Sequence, residues 1–347
     1  MLLRSFVNHS KRPTAVPAPS QEAVAFHVSL PGYSPTPLRP LPALAAELGL
    51  GAVMVKDESD RLGLPAFKVL GASWAVECAL RERPDVHTLV AASAGNHGRA
   101  VARVAAQRDL RCRVFLPARS SAARRQAIAA EGAEVVVVDG SYEDAVAQAE
   151  LAGAGPGAVE IADTGRSESA RRVIDGYATL FAEVAAQGRC DAILVPVGVG
   201  SLAAAAARFA VHAGASAVGA EPIAAASLTA SLAAGRPTRV PTPGTVMAGL
   251  DCAEVSPAAW PTLRDGLHGT VTVSDAEARG AVRELAAAGL AIGESGAAPL
   301  AALRAVVEDA KCAALRESIG LGSDSRVLLI ATEGPTDPDS HRRALTS

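Results

Sequence analysis

Ala192-Ile193-Leu194-Val195-Pro196-Val197-Gly198-Val199-Gly200-Ser201-Leu202 decides the fold class of this chain. Ala192–Pro196 is an apolar run of strand length. Two closely spaced glycines follow, and an alanine-rich, helix-length stretch, Leu202–Ala213, continues from them. Strand, tight turn and helix in that order form half of a βαβ unit. The pattern recurs on both sides. Apolar runs predict strands at Ala52–Lys56, Thr88–Ser93, Arg113–Leu116, Glu134–Val138, Ala192–Pro196, Ala217–Glu221, Thr270–Val273 and Arg326–Ala331. Helical spacing predicts helices at Val69–Glu82, Gly98–Arg108, Ala122–Glu131, Tyr142–Leu151, Ser167–Gln187, Asp275–Ala288 and Ala297–Arg316. This alternation predicts an α/β protein with parallel sheets. Four valines after Glu134 predict a strand buried on both faces. Met1–Pro19 is expected to fray. Gly235–Pro243 is proline-rich and reads as a loop, a lid or a connector, with connector the expectation.

The composition narrows the function classes. A chain of 347 residues suggests two domains at about 150 residues each. With 49% hydrophobic and 20% charged residues, it reads as a soluble globular protein with a large core. A net charge of -3 gives no electrostatic footprint for nucleic acid. The arginines at 119, 124, 125, 171 and 172 read as solvated helix faces. Cys78, Cys112, Cys190, Cys252 and Cys312 are scattered, with no C-x-x-C and no Cys/His ligand spacing. A reducing, cytoplasmic compartment is therefore expected, with no disulfide framework and no metal site. Met1–Val16 has no long apolar run, so no secretory signal is expected. No membrane span is expected either, because no apolar run of about 18 residues occurs.

Four stretches carry candidate chemistry. Lys68 lies in the apolar run Ala66-Phe67-Lys68-Val69-Leu70-Gly71, and the only other lysines are Lys11, Lys56 and Lys311. Burial lowers a lysine pKa and frees the amine for Schiff-base chemistry. The other reading is a stem on apolar surface with its head in water. Gly198-Val199-Gly200-Ser201 suits a phosphate nest at a helix start, or a plain turn with Ser201 as N-cap. It is neither a P-loop nor a G-x-G-x-x-G motif, because Ala203 fills the last glycine position. Ser93-Ala94-Gly95-Asn96-His97-Gly98 also joins a strand to a helix. Its N–H groups with Ser93 and Asn96 could bind a carboxylate or a ring oxygen. His97 reads as a structural cap or a catalytic acid, with the cap the expectation. Thr332, in Ala331-Thr332-Glu333-Gly334, stands where α/β sheets place ligand-binding groups or simply ends its strand.

In this order the four stretches resemble the tryptophan-synthase-β-like (fold type II) pyridoxal-phosphate enzymes. Further motifs resemble the diaminopropionate ammonia-lyase branch. They are Leu30 to Leu38 (L-P-G-Y-S-P-T-P-L), Lys56-Asp57-Glu58-Ser59, Arg61 to Gly71, Asp163-Thr164, Gly176-Tyr177, Thr245 to Leu250 (T-V-M-A-G-L), Gly293 to Gly296 (G-E-S-G) and Thr332 to Gly334, with Thr336-Asp337-Pro338. Together they span nearly the whole chain.

The resemblance implies two parallel-sheet α/β domains with pyridoxal phosphate in the cleft. Residues 1–80 and 188–347 would form the large cofactor-binding domain, and residues 81–187 a smaller inserted one. Lys68 would carry the cofactor as a Schiff base, with Phe67 beside it. Gly198, Val199, Gly200, Ser201 and Leu202 would bind its phosphate, Asn96 its ring hydroxyl and Thr332 its pyridine nitrogen. Ser93, Ala94, Gly95 and His97 would receive the substrate carboxylate, and Asp163 the β-amino group. A homodimer acting on a small amino acid is implied, with no nucleic-acid or membrane partner.

The implied reaction is α,β-elimination from a β-substituted L-amino acid, 2,3-diaminopropionate or a modified relative, giving a 2-keto acid and ammonia. Lys68 is the base at Cα, and Asp163 assists the leaving amine. One departure matters. The branch usually reads T-D-G-N-H-G here, and its aspartate is the base for the D-isomer. Ala94 cannot take a proton, so L-selectivity is expected. S-A-G-N-H also resembles serine and threonine dehydratases, which leaves a dehydratase or a β-replacing synthase as alternatives on the same fold. A non-catalytic amino-acid binder is a third reading, against which Lys68 and the glycine loop stand.

Overall fold

The computed structural model describes residues 3–346. Eleven strands form two sheets among these residues. The larger sheet runs in the order β1 (Ser5–Val7), β10 (Gly269–Val273), β9 (Ser216–Pro222), β8 (Ala192–Pro196), β11 (Arg326–Ala331), β3 (Ala52–Asp57) and β2 (Leu38–Pro40). Its five inner strands are parallel, and β1 and β2 pair antiparallel at the two edges. The smaller sheet is all parallel, in the order β6 (Glu134–Val138), β5 (Arg111–Pro117), β4 (Thr88–Ala92) and β7 (Ala158–Glu160). Its strands all come from the stretch between β3 and β8. The inner strands of the large sheet bury nearly every residue because helices cover both faces. One apolar core runs between the two sheets, from Leu89 and Val101 through Leu70 and Phe181 to Ile193 and Ile330.

All eight strands predicted from the apolar runs form, with ends shifted by at most two residues. Four expectations need correction. The four valines of β6 do not make a doubly buried strand. β6 is the edge of the small sheet, and Val137 is 46% exposed. The N-terminal stretch does not fray over its described residues. Main-chain pairing of β1 with β10 holds it, Arg4 bridges to Glu277 and Asp309, and Asn8 donates to the Arg264 and Leu267 carbonyls. The helix predicted at Ser167–Gln187 is two helices, Glu168–Gly176 and Ala178–Gln187, separated at Tyr177. The helix predicted at Ala297–Arg316 is likewise two, Glu294–Glu308 and Ala313–Ser318. Among the described residues no helix is long and apolar enough to cross a membrane.

Several residues that carry the family resemblance are structural. Arg61 and Lys56 are 1% and 0% exposed, and both pair with Glu183 on the helix Ala178–Gln187. Arg61 also pairs with Glu58, Thr36 accepts from Arg61, and Tyr33 donates to Glu183. Two cations meet two carboxylates with their hydrogen-bonding capacity largely filled. That is the condition under which buried charge is tolerated.

Candidate active site

The chemistry-bearing loops follow the C-terminal ends of parallel strands: β3 leads to Lys68, β4 to Ser93–His97, β7 to Asp163, β8 to Gly198–Leu202 and β11 to Thr332. Ligands of α/β sheets bind at these ends. Here two sheets present theirs to a shared cleft.

Lys68 opens the helix Lys68–Glu82, and its Nζ donates to Asp163 Oδ2 at 2.8 Å. Their side chains are 21% and 14% exposed. The ammonium also sits 5.4 Å from the Phe67 ring centroid. Burial works to lower the Lys68 pKa, but Asp163 and Tyr177 outweigh it and the net shift is upward. The expectation of a lowered pKa is therefore corrected: the pair partner decides the sign. Asp163 moves the other way. Burial pushes its pKa up, and the neighbouring His97 and Lys68 pull it well below the usual carboxylate range.

His97 is 2% exposed, and its Nε2–H donates to the Ile161 carbonyl at 2.7 Å. That bond leaves Nδ1 as the acceptor nitrogen, 4.0 Å from Asp163 Oδ2 and without a hydrogen-bond partner. Burial holds the imidazole pKa down, against the pull of Asp163. His97 is no simple cap, because its ring reaches from the helix start Asn96–Gln107 to the Asp163 loop. Ser93 Oγ accepts from Gly95 N at 3.3 Å, and Ala94 packs against the core. Among the described residues nothing accepts from the N–H groups of Ala94, Asn96 and His97.

The glycine loop is a cradle. Gly200 takes a left-handed conformation, φ +91°, and a Cβ there would lie 2.6 Å from Leu263 Cδ1. A Cβ on Gly198 would lie 2.7 Å from the Gly249 carbonyl oxygen. Five consecutive N–H groups, Gly198 to Leu202, have no acceptor among the described residues. Such a run at a helix N-terminus is an anion nest. Ser201 is not the N-cap. It is the first helical residue, and its Oγ donates to the Asp163 carbonyl at 2.9 Å. The nest is thereby tied to the Lys68–Asp163 pair.

Sequence reasoning passed over three residues here. Glu333 is buried, and its Oε2 accepts from Asn96 Nδ2 at 2.6 Å. Burial raises its pKa against the opposing bonds from Ser295 and Asn96. Tyr177 is fully buried and faces Lys68, and its hydroxyl makes no well-formed hydrogen bond to any of the described residues. Cys252 lies near Lys68, its thiol pushed up to about 12 by burial. Glu333 and Tyr177 stood inside quoted motifs, but only the partner across the cleft shows what each faces. Thr332 is buried, and its carbonyl accepts from Phe67 N at 3.3 Å, which fixes the entry to the lysine helix.

A cleft lysine, a nest for a phosphate dianion and a shelf of free N–H groups define a class: enzymes that carry a phosphorylated aldehyde on a lysine. Residues 29–333 match the family described as pyridoxal-phosphate dependent enzyme. The chain belongs to that family, in its diaminopropionate ammonia-lyase branch. The diaminopropionate ammonia-lyase of Salmonella typhimurium is 34% identical over 361 aligned residues, 92% of this chain and 89% of that protein. The crystal structure of the Escherichia coli diaminopropionate ammonia lyase in complex with an aminoacrylate-PLP azomethine reaction intermediate superposes with a TM-score of 0.90. It is 30% identical, over 98% of this chain and 96% of that one. The same Escherichia coli enzyme in complex with D-serine gives a TM-score of 0.89 at 30% identity, with the same coverage. Pyridoxal phosphate fits the residues present: the Lys68 amine for its aldehyde and five free N–H groups for its phosphate.

Proposed function

We propose that the protein eliminates ammonia from L-2,3-diaminopropionate, or a modified relative, to give a 2-keto acid. The observation that carries this reading is the ion pair between Lys68 and Asp163. In this reading Lys68 holds the cofactor beside Phe67, Gly198 to Leu202 hold its phosphate, and Asn96 and Thr332 face its ring. Bound pyridoxal phosphate supplies the electron sink for a carbanion at Cα.

Lys68 removes the Cα proton, which requires it to surrender the ammonium state that Asp163 enforces. A substrate with a second ammonium group competes for Asp163 and places a like charge near Lys68. Both effects lower the lysine pKa. The same carboxylate then keeps the departing nitrogen protonated, so that it leaves as ammonia. Serine lacks this trigger. The free N–H groups of Ala94, Asn96 and His97 receive the substrate carboxylate. With Ala94 on the face where the branch has an aspartate, Lys68 is the only base and the L-isomer the only good substrate. The small lobe, residues 81–187, closes on the large one over bound substrate, and the protein acts as a cytoplasmic homodimer.

The test is 2-keto-acid release from L- and D-2,3-diaminopropionate, L-serine and L-threonine, with Lys68→Ala as control. Release from the L-diamine, absent in the control, supports the reading. Faster release from serine or threonine refutes it in favour of a dehydratase, and robust release from the D-diamine refutes the selectivity.

A further inference from the structure

Tyr177 stands at the break between two helices, in the turn where Ser167–Gln187 was expected to run on. Its ring lies 4.8 Å from the Phe67 ring, and it covers Gly71 so closely that a Cβ there would meet Cε1 at 2.7 Å. Three features therefore bring the phenol to the lysine helix: the break, the neighbouring aromatic and the cleared glycine. Its hydroxyl arrives beside Lys68, fully buried, and makes no well-formed hydrogen bond to any of the described residues. A buried hydroxyl left unpaired is destabilising, because folding strips it of water without replacing the bond. Tyr33 and Tyr142, the other two tyrosines, both donate to an acceptor.

We propose that Tyr177 is a positioning residue that holds Lys68 whenever Asp163 is engaged elsewhere. This rests on the reading of Asp163 as the site of the substrate's second amino group. Among the described residues Asp163 is the only carboxylate paired with Lys68, so substrate binding strips Lys68 of that partner. The phenol suits both charge states that follow. Its oxygen accepts from the ammonium, and its O–H donates to the free amine. Lys68 thus stays aimed at Cα through the proton transfer, instead of turning toward solvent.

Tyr177→Phe tests this, because it keeps the ring against Phe67 and Gly71 and removes only the hydroxyl. With the L-diamine, kcat is expected to fall about 10- to 100-fold, the worth of a hydrogen bond to a charged group, with little change in KM. The charge-assisted bond to the ammonium is the stronger of the two. In the apoprotein the Tyr177 oxygen faces the ammonium and raises its pKa without a full hydrogen bond; removing it lowers the Lys68 pKa, so Schiff-base formation with pyridoxal phosphate should move to lower pH. The thermal midpoint of the apoprotein should hold or rise, since an unpaired buried hydroxyl is gone. A higher midpoint with kcat and the Schiff-base pH profile both unmoved overturns the proposal and leaves Tyr177 as packing. Should wild-type protein ignore the diamine, the reading of Asp163 fails, and the Schiff-base profile still decides whether the phenol addresses Lys68.

Discussion

Asp163 has two ammonium claimants in the proposed reaction, Lys68 and the second nitrogen of the substrate. Asp163→Asn removes the stronger attraction for both. Turnover of the L-diamine should drop by about 100-fold or more, as for loss of an acid–base group. Schiff-base formation with pyridoxal phosphate should meanwhile shift to lower pH, because the ammonium loses the partner that raises its pKa. Steady-state kinetics and absorbance titration separate the two effects. Ala94→Asp makes the converse change by adding the carboxylate that the proposed reading lacks for the D-isomer. Measurable 2-keto-acid release from the D-diamine is expected of it, where wild type gives little. Lys68 was legible in the sequence because a lysine inside A-F-K-V-L-G has no surface to point at. Asp163 was legible only through the resemblance, because nothing in its neighbourhood marks it. Tyr177 and Glu333 stayed silent, since their meaning lies in what faces them from residues distant in the chain.

At the scale of the element, the strand-to-helix turn after β8 is the most constrained piece of the site. Gly200→Ala asks for a left-handed Cβ in contact with Leu263. It should cost about 1–3 kcal/mol of strain and weaken pyridoxal phosphate binding, read as a higher dissociation constant in a fluorescence titration. The turn was readable because two glycines between an apolar run and an alanine-rich helix admit few conformations. The β6 edge was not readable. A run of valines reports β-propensity, and whether a neighbour covers it depends on strand order. The break at Tyr177 was hidden for a related reason. Helical spacing continues on both sides of it, and only close packing against Gly71 shows the bend.

Across the whole molecule, two sets of buried and half-buried groups oppose each other on titration. His27 accepts from Thr179 and donates to the Leu70 carbonyl, and burial drops its pKa to about 4. Burial and then Lys11 put His268 at about 4 as well. Between pH 6.5 and 4 the unfolded chain binds protons at these histidines that the native state refuses, so their contribution to stability falls as pH falls. For His27 the loss is ~3 kcal/mol. Glu160 and Glu221 do the reverse. Burial lifts both to about 7, so their contribution falls as pH rises from the ordinary carboxylate range to about 7. The two slopes oppose each other, so each offsets part of the other between about pH 6.5 and 4.5. In His27→Gln one side is weakened, so as pH falls over the same range the urea midpoint of that variant should move upward relative to that of the wild type. A wild-type midpoint that fell steeply across this window would show that the histidines dominate. Of this architecture, the strand-length runs disclosed the parallel α/β class, and the arrangement in two sheets came from the family resemblance. It did not disclose the buried charges of Lys56, Arg61, Glu58 and Glu183, because hydrophilic letters normally signal surface.

One consequence of the strand order concerns biosynthesis. β11, the last strand in sequence among the described residues, lies in the middle of the large sheet, between β8 and β3. Until residue 331 has left the ribosome, the strands on either side of it have no partner to join them. The nascent chain therefore carries two half-sheets with open parallel edges through almost its entire translation, the kind of surface that recruits chaperones or pairs with a neighbouring copy. A stop codon shortly before Arg326 deletes no residue of the glycine cradle and neither member of the Lys68–Asp163 pair. It removes the seam that brings them together, and its product should be found in the insoluble fraction.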